Sequence, residues 1–193
     1  MNKGRLEAFS DGVIAVIITI LVLELRLPQG VTLHSLGTVV PGFLSYVLSF
    51  IYIGIYWNNH HHLLHATQHV AGGILWANLH LLFWLSLTPF ATAWMGQSHF
   101  ASLPVALYGL VLLLAGVAYV ILTKALIAHH GKDSQLASAI GKDRKGTVSV
   151  ILYMIGIPLS FWQPWVGFTC YVAVAIMWLI PDPRIERNVR EIK

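Results

Sequence analysis

The chain has 193 residues, of which 10% are charged and 56% hydrophobic, with a mean hydropathy of +0.70. A soluble domain coats itself with about 25% charged residues, so a water-facing exterior is excluded over most of the surface. The net charge of +4 would suit a nucleic-acid binder, but the basic residues flank apolar spans, which is the pattern of membrane orientation instead.

Residues 27–123 contain no Asp, Glu, Lys or Arg, and neither do residues 146–181. Segments of that length need lipid as their solvent. A spanning helix takes about 20 mostly apolar residues, and six such spans are predicted at 5–27, 36–60, 71–95, 103–128, 147–163 and 165–181. The first apolar run, Gly12 to Leu23, has no small-residue cleavage site after it and reads as a retained helix rather than a signal peptide. Pro28-Gln29-Gly30 ends the first span, the His60–His69 stretch separates the second from the third, and Gly96 to His99 ends the third. Pro104 opens the fourth, where a missing N–H costs nothing. The longest loop runs from His129 to Gly146, and Trp162-Gln163-Pro164 joins the short last two. Trp57, Trp94, Trp162, Trp165 and Trp178 fall near predicted ends, as an aromatic belt requires. Cys170 is the one cysteine, so there is no disulfide framework.

Six spans place both termini on one side with the 60–70 and 129–146 loops. That side collects Lys3, Arg5, Lys124, Lys132, Lys142, Arg144, Lys145, Arg184, Arg187, Arg190 and Lys193; the other holds Arg26. The bias puts both termini in the cytoplasm. Residues 182–193 form a short basic tail.

The first span is the most informative. Residues three or four apart share a helical face, so one stripe holds Phe9, Gly12, Val16, Thr19/Ile20, Leu23 and Leu27, and the opposite one Glu7, Asp11, Ile18 and Val22. Asp11 is costly against lipid and needs a partner. Counting residues by depth brings Trp57, Asn58 and His61 of the second span and Asn78 of the third to its level. Arg5 and Asp11 point to nearly opposite sides, which favours a network between helices over a pair within one. From pattern alone this network is structural, and Val16, Ile20 and Leu23 are packing residues.

Arg5-x-x-x-Phe9-Ser10-Asp11-Gly12-Val13-x-Ala15-Val16 resembles the opening helix of the transmembrane protein 175 family of potassium channels, in its single-repeat bacterial members. Trp57 with His60-His61, Asn78 and Thr88-Pro89-Phe90 resemble its second- and third-span landmarks. The resemblance implies an all-α homotetramer of six-span subunits in a bacterial inner membrane. The first helices would surround a central pore, with no re-entrant filter loop; Thr-Val-Gly-Tyr-Gly is absent from the sequence. It also implies that Val16, Ile20 and Leu23 form apolar rings with a hydroxyl ring at Thr19, potassium being the permeant ion and no cofactor being needed. Arg5, Phe9, Ser10, Asp11, Trp57, Asn58, His61 and Asn78 would hold the pore helix. A narrow apolar ring passes the ion that sheds water more cheaply, and potassium holds its water less tightly than sodium. Val16 departs from the family's usual Ile or Leu, and its smaller side chain predicts a wider constriction.

His61, His65 and His69 at i, i+4 and i+8 would stack on one helical face as metal ligands do, but no Cys, Asp or Glu lies nearby in sequence, so interfacial polar residues are the simpler expectation. Their protonation near pH 6 would modulate conduction. Glu24 and Arg26 close the outer end, as a charged ring at the mouth or a snorkelling pair. A secondary transporter, or a proton or cation leak of the same architecture, is the alternative function. A transporter would need coupling carboxylates or broken midplane helices; Asp11 and the Gly156-Ile157-Pro158 interruption are the sole candidates. No catalytic dyad suggests an enzyme.

Overall fold

A computed structural model describes residues 3–65, 67, 70–131 and 143–179. The described residues form eight helices and no strand: α1 (Lys3–Leu23), α2 (Leu33–Gly37), α3 (Val40–His65), α4 (Gly72–Ser86), α5 (Thr88–Gln97), α6 (Ser102–His130), α7 (Arg144–Trp162) and α8 (Pro164–Leu179). Five segments are long and apolar enough to cross a membrane: α1, α3, α4 with α5 as one unit over Gly72–Gln97, α6 and α7. The 16 residues of α8 fall short of that length.

Several boundaries differ from the sequence-based expectation, each for a local reason. The first helix ends at Leu23 rather than 27, because the chain turns at Glu24 and must be extended ahead of Pro28. The second begins at Val40, after α2, and runs on to His65. His60, His61, His62 and His65 are therefore helical, where a separating loop was expected. Thr32 caps α2, its side chain accepting from the Ser35 N–H. The third span is interrupted at Leu87, between α4 and α5: Pro89 lacks an N–H and occupies the first turn of α5. Residues 180–181 of the last expected span, the tail at 182–193, most of the 129–146 loop with Lys132 and Lys142, and His69 lie outside the described residues.

Two apolar cores hold the bundle. The first gathers Leu6, Ile14, Ile17 and Leu21 of α1 with Leu64 of α3, Leu81 and Leu85 of α4, and Ala118 and Leu122 of α6. The second gathers Leu48 and Tyr52 of α3, Met95 of α5, Tyr108 and Leu112 of α6, Tyr153 of α7 and Tyr171 of α8. α1 thus packs on α3, α4 and α5, while α7 and α8 pair behind α6.

Small residues set the closest approaches. A Cβ at Gly167 would meet the Ser160 hydroxyl and the Gly156 carbonyl, and one at Gly109 would meet the Tyr171 ring and hydroxyl. Between α5 and α6, His99 and Phe100 both take positive φ, a costly conformation for residues other than Gly. Burial of the Phe100 ring, 4.6 Å from Trp165 and 4.8 Å from Phe168, offsets that strain.

Candidate functional site

The first helix has two unlike faces. Leu6, Ser10, Ile14, Ile17 and Leu21 repeat every three or four residues and are buried. On the other side Phe9, Val16, Ile20 and Leu23 are 52%, 55%, 39% and 79% exposed, and Thr19 lies exposed between them. The buried stripe runs between the two stripes read from sequence. Glu7 and Asp11 sit at its edge, half-buried, not on a face of their own.

Polar contacts hold the N-terminal half of the buried side. The Trp57 indole N–H donates to Asp11 Oδ1 at 3.1 Å. His61 Nδ1 lies 3.2 Å from Glu7 Oε1. The Lys3 ammonium donates to the His65 carbonyl, fixing the end of α1 to the end of α3. Deeper in the bundle, Ser10 donates to the Leu6 carbonyl at 2.8 Å and accepts from Asn78 Nδ2 at 2.9 Å. Asn78 Oδ1 then faces His60 Nε2 at 2.7 Å. Ser10, His60 and Asn78 are buried. The directions are forced in sequence: Ser10 spends its proton on Leu6, so Asn78 must donate to it, so His60 must donate to Asn78. His60 therefore carries its proton on Nε2, and its buried Nδ1 is left as a lone-pair acceptor with no partner.

Ser10, Asp11, Trp57, His61 and Asn78 of the expected network thus touch one another or their neighbours. Asn58 is exposed and makes no hydrogen bond among the described residues, so it stands outside the network. Arg5 and Phe9 are also exposed, and Arg5 forms no ion pair among the described residues. Sequence reasoning missed two members. His60 was a family landmark without a partner assigned, and nothing in three consecutive histidines marks which of them turns inward. Glu7 shared a stripe with Asp11, and one turn separates Trp57 from His61, which pairs the two acids with the two rings.

Just past the C-terminal end of α1, Arg26 donates to Gln97 Oε1 at the end of α5. Glu24 and Arg26 line a cleft of about 210 Å³ with Thr38, Ser45, Thr92 and Gln97. His61 and His65 have ring centroids 6.1 Å apart. No group of three His, Cys, Asp or Glu side chains able to hold a metal occurs among the described residues. The Thr19 hydroxyl donates to the Val16 carbonyl at 2.7 Å. That bond uses its proton and leaves its oxygen lone pairs on the exposed side.

Fold and site together define a multi-pass helical membrane protein whose first helix is anchored by polar contacts on one side and bare on the other. The family model described as "Endosomal/lysosomal potassium channel TMEM175" matches residues 5–89. A protein of Chryseobacterium sp. (strain P1-3) named a potassium channel is 55% identical over 191 residues, covering 99% of this chain and 100% of its own length. A Streptomyces collinus protein, also named a potassium channel, is 37% identical over 131 residues, or 62% of each chain. The crystal structure of a lysosomal potassium-selective channel TMEM175 homologue from Chamaesiphon minutus superposes with a TM-score of 0.80 at 27% identity. That likeness covers 92% of this chain and 96% of the other. The chain belongs to the TMEM175 family of potassium channels.

Proposed function

We propose that the chain conducts potassium passively through a pore lined by four copies of α1, in a homotetramer of six-span subunits with both termini cytoplasmic. The bare apolar face of α1 is the observation that carries this reading. Phe9, Val16, Ile20 and Leu23 are exposed along one side of a helix whose other side is pinned by Ser10 and Asp11. A fourfold arrangement of that face produces stacked rings. Val16 forms the narrowest, Ile20 and Leu23 follow outward, and the Thr19 oxygens supply lone pairs that replace part of the ion's lost water. The α7–α8 pair contributes the fifth and sixth passages. The relatives' bacterial sources support placing it in a bacterial inner (plasma) membrane.

Planar-bilayer recording of the purified protein tests the function. Single-channel steps with a reversal potential displaced toward potassium are expected, whereas flux coupled to a second ion in fixed ratio would replace the channel by a transporter. Val16→Asn puts a polar amide ring at the proposed constriction and should raise sodium permeability relative to potassium several-fold, read from the bi-ionic reversal potential. Unchanged selectivity in Val16→Asn would remove that residue from the ion path.

A further inference from the structure

Exposed hydroxyls along the spans bond back to their own helices: Thr19 to the Val16 carbonyl, Ser86 to the Phe83 carbonyl and Thr169 to the Trp165 carbonyl. Two exposed groups seven or more residues inside a span do not follow this rule. Asn58 on α3 makes no hydrogen bond among the described residues, so its amide has acceptor and donors unmet. His80 on α4 accepts from the Trp84 indole N–H through Nε2 at 2.9 Å, so its Nδ1–H is a donor without an acceptor. Both lie too deep for open water. Asn58 is seven residues before the end of α3, about 10 Å at 1.5 Å per residue. His80 is eight residues inside the start of α4, about 12 Å. A polar group left unmet against lipid tails is costly.

The two groups share one depth. The His60–Asn78 hydrogen bond ties α3 and α4 at a common level. α3 runs toward that level and α4 away from it, so Asn58 and His80 both lie two residues, about 3 Å, on its outer side. They also lie on opposite flanks. The exposed arc of α3, with Phe43, Val47, Phe50 and Asn58, falls between its contacts with α1 and α8. The exposed arc of α4, with Trp76, Leu79, His80 and Phe83, falls between its contacts with α1 and α6. With α1 at the centre of a ring, these arcs are the two sides of a wedge, and ring closure is heterologous: one side meets the other side of the next copy.

We propose that the α3 flank of each subunit docks on the α4 flank of the next, with the His80 Nδ1–H donating to Asn58 Oδ1 of a second copy of this chain. This rests on the homotetrameric reading above. In a Cys170→Ala background, Asn58→Cys and His80→Cys together, treated with a short bis-methanethiosulfonate reagent, should give a dimer-to-tetramer ladder on a denaturing gel, and neither cysteine alone should. Asn58→Leu or His80→Leu alone leaves one polar group stranded and should lower the tetramer fraction in mild detergent several-fold. The double Leu variant strands neither side of the contact, leaving only the Trp84 indole N–H without its acceptor as in His80→Leu alone, and should recover much of that loss. A tetrameric mass with no ladder, or losses that simply add in the double variant, overturns the contact. A monomeric native mass for the unaltered chain overturns the tetramer itself, and the two failures are therefore told apart.

Discussion

Asn78 bridges two helices at one residue, and its amide has no slack. Its nitrogen serves Ser10 and its oxygen serves His60, both in buried surroundings. Asn78→Leu removes both bonds and leaves a buried hydroxyl and imidazole unmatched, a cost of about 2–4 kcal/mol. The loss should appear as a lowered melting temperature of the purified protein, with recovery by Asn78→Gln at most partial because the longer arm shifts both atoms. Trp57→Phe is milder. Trp57 is nearly half-exposed, so losing its bond to Asp11 should cost about 1 kcal/mol. The Asp11 contact was legible in the sequence because an acid in an apolar run demands a partner, and depth counting reaches Trp57. The inward turn of His60 was not, since three consecutive histidines look alike until α4 supplies a neighbour.

At the scale of elements, glycine decides how closely helices approach. α6 and α8 meet where the Tyr171 ring and hydroxyl lie over Gly109, and α7 meets α8 where Ser160 lies over Gly167. Gly109→Val should destabilise the fold by about 1–3 kcal/mol through overpacking, while Gly116→Val, where the nearest atom is 3.7 Å from an added Cβ, should be tolerated far better. Melting curves of the two variants side by side make that comparison. Five of the spans were legible as apolar runs, since lipid imposes length and composition together. The interruption at Leu87 and the helical course of the histidines were not. The first depends on a single proline inside a continuous apolar run. The second depends on packing: Leu63 and Leu64 are buried in the α1–α4 core, which carries the helix past its polar residues.

For the whole molecule, the basic residues carry the proposed orientation in the membrane. Lys3, Arg5, Lys124, Arg144 and Lys145 belong to the end that the positive-inside rule assigns to the cytoplasm. Protease-cleavable tags on either terminus should therefore resist digestion in intact spheroplasts and be lost after lysis; cleavage of either tag before lysis would reverse the orientation. The proposed assembly rests on the family resemblance alone, because an exposed apolar face has the same composition whether it meets lipid, a pore or another subunit.

The first helix behaves as a beam pinned at both ends. Lys3 fastens its inner end to α3, Ser10 and Asp11 brace it a third of the way along, and Arg26, just past its outer end, ties to α5. Such a beam cannot slide or roll within its own subunit without breaking a pin. In the proposed tetramer the bore at Val16 is then set by how neighbouring wedges seat against each other, and the hole would widen or narrow as a camera diaphragm does, by its leaves moving whole.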